Sequence, residues 1–369
     1  MGKKYIVLLF SFLFATNAYA TVLLKHNMAD PGAFVTGGTL YFAGTSDHTE
    51  KIEIYAVPTS DVIYYVNLSN TYPLNQYSLE PVVPSYIYDP RQVVINMYGS
   101  HHKYCNVTAP DFAYLLNGTI KLTFTAVFKA NTDESCNIVE SQYGPAILQA
   151  EVNLNTGVGA PLWITYNTVW DRTHQRYETV SGTQALPGSS NFNHDNIRID
   201  SSIFADTSTG KEWFSYVWFT GQGNAISTVQ TAGANLFLFD NTFPNFIYDE
   251  GIREAPEIFK RNGWYYFVYS ENWFNSKYQA YYKKATSVEN LTDSSSTTCR
   301  LTFNSWETRP NNTSSGYNAG KGSVVQIGSD YYLIYHIGHG NPLIRDTYID
   351  KLRFDAYGNI YQIPIPAFI

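Results

Sequence analysis

The stretch EAPEIFKRNGWYYFVYS, residues 254–270, reads as two short strands around a tight turn at Arg261-Asn262-Gly263. Aromatic and β-branched residues dominate its second half, which is strand chemistry. Its first residue is out of place. Glu254 puts a carboxylate at the mouth of a hairpin whose remaining residues ask to be buried. A charge there needs a reason, because burying one without a partner is costly.

Four more stretches share the strand–turn–strand pattern. Their second strands open at Gly38, Gly118, Gly210 and Gly328, as that of the first opens at Gly263. Before each turn lies a short apolar strand: DPGAFVT, APDFAYLLN, DSSIFADTST and KGSVVQI. Long helical periodicity is absent. Five hairpins over this length predict an all-β fold, a five-bladed β-propeller, in which the leading strand of each blade lines a central channel. A β-sandwich also supplies short strands but does not need one motif five times. The propeller brings the leading positions together: Asp30 from blade 1, Asp200 from blade 3, Glu254 from blade 4 and Lys321 from blade 5. Blade 2 offers Thr108-Ala109-Pro110, without a charge. Converging carboxylates raise each other's pKa, which structure alone does not require and acid–base chemistry does.

The rest of the chain bounds the setting. Lys3 and Lys4, the apolar run Ile6–Ala15 and the Ala18-Tyr19-Ala20 cleavage pattern predict a signal peptide over residues 1–20, and so a secreted protein with no membrane anchor after cleavage. The propeller is expected over residues 21–369. Six Asn-X-Ser/Thr sites, at Asn67, Asn106, Asn117, Asn290, Asn311 and Asn312, fit a secreted glycoprotein. Net charge is −7 and no basic patch stands out, so nucleic acid is not an expected partner. The 31 Tyr and 7 Trp suit both strands and sugar stacking, and so do not choose between them. Three cysteines allow one disulfide, Cys105–Cys136 being the nearest pair in sequence.

At the leading positions the sequence resembles glycoside hydrolase family 43. Members carry Asp-Pro in blade 1, Asp in blade 3 and Glu-(Gly/Ala)-Pro in blade 4; here these are Ala29-Asp30-Pro31, Ile199-Asp200-Ser201 and Arg253-Glu254-Ala255-Pro256. The resemblance implies inverting hydrolysis of arabinose- or xylose-containing polysaccharides or oligosaccharides. Asp30 would be the general base, Glu254 the general acid, and Asp200 the residue that orients Glu254 and keeps its pKa high. In blade 5 many members have a Gly-His pair near a channel metal or water, whereas this chain has Gly320-Lys321-Gly322. A protonated lysine is not a metal ligand. No cofactor is therefore expected to be required, and a channel calcium stays an open alternative. Lys321, His336 of Tyr335-His336, and Arg345 are the expected substrate-binding residues.

Other acids receive lesser roles. Glu257 is expected to face a neighbouring blade or solvent, and Asp111 to be structural or at the rim. Glu271 and Asn272 are expected in a loop away from the catalytic end. His194 and Asp195 would edge the pocket. Asp89-Pro90 lacks the turn and aromatic strand that follow Asp30-Pro31. Two rival readings remain. A fructan-type retaining glycosidase would open with Asn-Asp-Pro-Asn, and Met28-Ala29-Asp30-Pro31-Gly32 lacks both asparagines. A non-catalytic carbohydrate-binding propeller would not need three converging acids. The closing strand is expected from the C-terminal YIDKLRFDAYGNIYQI, turning at Tyr357-Gly358.

Overall fold

The computed structural model describes residues 21–46, 51–71, 77–81, 83–89, 94–97, 100–130, 146–158, 162–163, 168–171, 176–179, 198–220, 223–231, 245–247, 253–272, 278–291, 296–303, 318–339 and 344–365. The expected leader, Cys136, His194 and Asp195 lie outside the described residues. All five hairpins form. They are Met28–Thr36 with Thr39–Ser46, Ser100–Tyr114 with Ile120–Ala130, Arg198–Asp206 with Lys211–Thr220, Arg253–Arg261 with Trp264–Glu271, and Asn318–Ile327 with Asp330–His339. In the fourth, Asn262 and Gly263 have φ of 49° and 80°. Two successive left-handed residues make the turn whose twist matches the flanking strands, and Asn and Gly are the residues that tolerate it.

Each hairpin is extended by a third antiparallel strand: Ile52–Pro58, Ala146–Asn153, Gly223–Thr231, Gln279–Ala285 and Ile344–Leu352. The result is five antiparallel meanders. The leading strands touch in the order first to second, second to third, third to fourth, fourth to fifth and fifth to first. The cores follow the same order. Phe34 and Phe124 share a cluster between the first and second meanders. Ile147 packs with Phe214, Val217 with Phe267, Tyr266 with Leu333, and Ile334 with Phe42 of the first meander. Each sheet is thus covered on both faces. That is why Tyr265–Ser270 is buried at every position instead of at alternate ones.

One expectation fails here. The fifth meander takes its outer strand from the N-terminal Val22–Lys25, which pairs antiparallel with Ile344–Leu352. The C-terminal segment instead makes a turn at Asp355–Asn359 and a short parallel pair between Ile363–Pro364 and Thr302–Phe303. The reason is burial. Val22 and Leu24 are fully buried, whereas Tyr357 is 79% exposed. One α-helix, Thr59–Thr71, also stands among the described residues. Its apolar positions do not line up on one face, so periodicity does not announce it. Among those residues no helix is long and apolar enough to cross a membrane. Cys105 is disulfide-bonded and Cys299 is a free, half-buried thiol.

Each leading strand carries an extra residue against its partner at an equivalent place, and the second carries another between Cys105 and Thr108, where Asn106 has positive φ. The register slips between Ala29 and Gly32, Thr108 and Asp111, Ile199 and Ser202, Glu254 and Glu257, and Gly320 and Gly322. Within each slip one residue has positive φ: Asp30, Ala109, Asp200, Ala255 and Lys321. These β-bulges re-aim the side chains next to them, as bulges commonly do beside active sites.

If the N-terminal strand closes the fifth meander, Leu24→Ala should cost about 2–5 kcal/mol in urea unfolding. Tyr357→Ala at the C-terminal turn should stay within about 0.5 kcal/mol of wild type. Comparable losses from both would contradict this closure.

Candidate active site

The five bulges place Asp30, Asp200, Glu254 and Lys321 in mutual electrostatic contact. Asp30 is held on four sides. Its backbone N–H donates to His336 Nδ1 at 3.1 Å. Its Oδ2 accepts from Thr45 Oγ1 at 3.0 Å and lies 3.4 Å from Arg345 Nη1. Burial works to raise this carboxyl. The guanidinium of Arg345, together with His336, Lys321 and the Thr45 hydroxyl, outweighs it and brings Asp30 down to about 2. Burial itself pushes His336 down to about 3, so the ring is neutral at working pH. The cationic partners of Asp30 are then Arg345 and Lys321.

Glu254 has the opposite setting. Burial, then the charges of Asp200 and Asp30, raise it to about 8, against the pull of Lys321 and a hydrogen bond from Tyr278. Asp200 is also raised by burial, but two neighbours favour its charged form. Lys321 Nζ lies 3.0 Å from its Oδ1, and the Ala255 N–H donates to its carboxylate. The two acids titrate together, and Lys321 and the Ala255 N–H favour the ionised form of Asp200. At neutral pH Asp30 is ionised and Glu254 protonated, within one cluster.

Lys321 is 6% exposed, so it points into the ring and not to solvent. The glycines beside it make room. A Cβ at Gly320 would overlap the Tyr278 ring and stand 2.7 Å from Ser270 Oγ, so Gly320 is what lets Tyr278 reach the acids. Tyr278 stacks on His336 with centroids 5.6 Å apart and planes 6° from parallel. His336 is fully buried in this stack. The expectation that it touches substrate therefore gives way to another role, holding the Asp30 backbone. Arg345 stays beside Asp30, its side chain 13% exposed.

The rival acids are placed as well. Asp111, buried, and Glu257, half-buried, form a second tier of acids. Glu257 accepts from Ser202 Oγ at 2.7 Å and from the Val324 N–H at 3.3 Å. Burial raises both carboxyls, Asp111 to about 7. Glu257 thus faces the neighbouring third and fifth meanders, one of its two expected placements, and Asp111 is a buried structural residue and not one at the rim. Glu271 is in strand, not in a distant loop: it pairs with Arg253 at 3.3 Å, next to Glu254. Asp89 lies 3.8 Å from Lys51, away from the cluster. A cavity of about 560 Å³ opens at the turn end of the hairpins, lined by Phe34, Phe112, Glu257, Lys260 and Tyr331 among others. Asp30, Asp200 and Glu254 are not in its lining; they stand in the bulges, away from the turns. Tyr278 and Thr45 escaped the sequence reading. Neither is in a leading strand: Thr45 is an ordinary strand threonine, and Tyr278 stands just ahead of the strand Gln279–Ala285, where a single tyrosine carries no signal of its own.

These settings have opposite effects on stability. The folded state holds the Glu254 proton up to about pH 8, and the unfolded chain releases it near 4.5. Wild-type stability is thus fully supported below pH 4.5 by this group and declines as pH rises towards 8. Asp30 acts in the other direction, supporting the fold above its ordinary 3.8 and losing that support as pH falls through about 2. Glu254→Gln removes the first effect. Its urea midpoint should rise relative to wild type between pH 5 and pH 8, and a difference that does not change with pH would contradict the assignment.

Comparison with known proteins agrees with this geometry. Residues 163–360 match the family described as glycosyl hydrolases family 43. The matched stretch contains Asp200, Glu254 and Lys321, with Asp30 preceding it. A beta-D-galactofuranosidase of Aspergillus niger, xynD, is 31% identical over 172 residues, 45% of this chain and 46% of that protein. The match thus spans about half the length of the curated relative. An alpha-L-arabinofuranosidase from Lactobacillus brevis is 16% identical with a TM-score of 0.57, over 92% of this chain and 95% of that one. An exo-1,5-alpha-L-arabinanase from a bovine ruminal metagenomic library is 16% identical with a TM-score of 0.52, over 92% and 97%. At such identities the likeness is one of fold. With more than half of its residues inside the family match, the chain belongs to glycoside hydrolase family 43.

Proposed function

We propose that the protein is a secreted, inverting glycosidase acting on arabinose- or xylose-containing plant polysaccharides or oligosaccharides, built as a five-bladed β-propeller. The blade count rests on the five meanders and on the cyclic order of their leading strands and cores. The observation that carries the reaction is the split between two carboxyls of one cluster, Asp30 lowered to about 2 and Glu254 raised to about 8. Groups whose environments drive their pKa values apart are an acid and a base.

In this reading Asp30 takes a proton from a water whose oxygen attacks the anomeric carbon. Glu254 gives its proton to the departing glycosidic oxygen on the other face of the sugar. The C–O bond to the leaving group breaks as the new one forms, which inverts the anomeric centre. Asp30 ends protonated and Glu254 ionised, and exchange with solvent restores both. A carboxylate held near 2 is a weak base. That suffices where the transition state resembles an oxocarbenium ion and the water needs little activation. Asp200 orients Glu254 through the Ala255 N–H and supplies the charge that keeps the proton there.

The donor set does not suit a channel cation. His336 Nδ1 accepts the Asp30 N–H, so in the neutral ring Nε2 carries the proton and has no lone pair to offer. Lys321 already places a positive charge among the acids. We assign it the electrostatic role a cation would have and derive no step through a metal. Export is supported by the leader pattern of residues 1–20 and by the disulfide at Cys105. The pentose and furanose assignment leans on relatives named as an arabinofuranosidase, a xylosidase and a galactofuranosidase.

The test is kinetic, on aryl arabinofuranoside and xyloside and on arabinan and xylan. Glu254→Gln should lose about 10²–10⁴-fold on polymer and much less on aryl glycosides, whose leaving groups need little protonation. Asp30→Asn should lose similar factors on both. Chelation should leave wild-type rates unchanged, and product NMR should show the inverted anomer first. Retained configuration, or equal loss of Glu254→Gln on both substrate types, would overturn the assignment.

A further inference from the structure

The bulges share a second feature. A left-handed residue in each leading strand turns its N–H towards the preceding meander, where it needs an acceptor. The acceptor comes from a fixed place, the residue that pairs with the last residue before the preceding meander's bulge. Ala29 pairs with Thr45, Thr108 with Thr125, Ile199 with Val217, Glu254 with Ser270 and Gly320 with His336. Four of these five cap the next bulge. Thr45 Oγ1 accepts the Ala109 N–H at 2.8 Å, and Thr125 Oγ1 accepts the Asp200 N–H at 3.2 Å. Ser270 Oγ accepts the Lys321 N–H at 2.7 Å, and His336 Nδ1 accepts the Asp30 N–H at 3.1 Å. The fifth position is Val217, fully buried and without a polar atom. The N–H it leaves over is that of Ala255, the residue after Glu254, and it goes to the Asp200 carboxylate.

The first meander is the natural comparison, because its bulge residue is also an aspartate. There the carboxylate does not meet the next bulge directly. Asp30 Oδ2 accepts from the Thr45 hydroxyl, and that hydroxyl accepts the Ala109 N–H. A hydroxyl relays between carboxylate and backbone. In the third meander the relay is replaced by an isopropyl group, and the carboxylate bonds the next bulge itself.

We propose that Val217 is a positioning residue: by withholding an acceptor at the one site in the ring where the next meander carries Glu254, it reserves the Ala255 N–H for Asp200 and fixes that carboxylate beside the acid. This rests on the reading of Glu254 as general acid. Packing alone would be satisfied by any apolar residue of the right size in the cluster with Trp213, Ile226 and Phe267. It would not predict that a near-isosteric hydroxyl disturbs the acid. Val217→Thr supplies the relay of the first meander. The hydroxyl takes the Ala255 N–H, and Asp200 moves out by the width of that group. Its charge then acts on Glu254 from further away, while Asp30, Lys321 and Tyr278, the other groups around Glu254, stay in place.

The experiment compares wild type, Val217→Thr and Val217→Ala, with Val217→Ser standing in if the threonine variant does not fold. Val217→Thr should move the alkaline limb of kcat/KM for an aryl glycoside to lower pH by about half a unit or more. Val217→Ala should lose stability through its cavity and leave the limb where it is. A limb equally placed in both variants would overturn the inference. A second readout does not depend on turnover. The Ala255 amide proton resonance should follow the titration of Asp200 in wild type, lose that dependence in Asp200→Asn, and lose it also in Val217→Thr. Dependence kept in Val217→Thr would overturn the inference. A wild type without glycosidase activity but with the amide behaviour as stated would fault the reading of the enzyme and not that of Val217.

Discussion

The protein depends on one backbone constraint. Each leading strand contains a residue at positive φ, and each such residue turns an N–H out of its own sheet. A buried N–H must find an acceptor. Thr45, Thr125, Ser270 and His336 provide one across four of the junctions, and the Asp200 carboxylate provides it across the fifth. The same bonds that join neighbouring sheets therefore fix the residues around which the acids gather. Fold and site are not separate layers here. The left-handed conformation costs Asp30, Asp200 and Lys321 strain that the ring of contacts must offset, as is usual where strained backbone coincides with function.

The chemistry follows from unequal treatment of similar groups. Three carboxyls share one buried cluster, and burial alone would raise all three. Arg345 and the Thr45 hydroxyl sit on Asp30, Lys321 sits on Asp200, and Glu254 is left with the least compensation. The proton collects where no full cation stands. Lys321 also acts on the lower pair, Asp111 and Glu257, so one ammonium balances two tiers of acids. Its flanking glycines matter for the same reason, since Gly320 admits the Tyr278 ring that closes over His336.

Much of this is legible in the sequence, and the reasons are specific. The hairpins are legible because Gly-containing turns separate aromatic runs. The bulges are half-visible: Asp30-Pro31, Ala109-Pro110, Asp200-Ser201, Ala255-Pro256 and Lys321-Gly322 share a place ahead of each turn, though nothing in the letters says φ is positive. The helix Thr59–Thr71 is hidden because its apolar residues follow no face. The closing strand is hidden because Val22–Lys25 is short and its partner lies over 300 residues away along the chain. Thr45, Val217 and Tyr278 are hidden for a third reason. Their roles lie in cross-sheet geometry, where an ordinary strand residue becomes a cap or a gap in the caps and the residue ahead of a strand becomes a lid.

The central claim is that the fold keeps a proton on Glu254 at neutral pH. Isotope-edited infrared spectroscopy of the carboxyl stretch, taken as the difference between wild type and Glu254→Gln with labelled glutamate, reads that proton directly. The account predicts a protonated carboxyl at pH 7 with a midpoint near 8, and a lower midpoint in Asp200→Asn. A carboxylate already ionised at pH 6, with its midpoint near the ordinary 4.5, would contradict it.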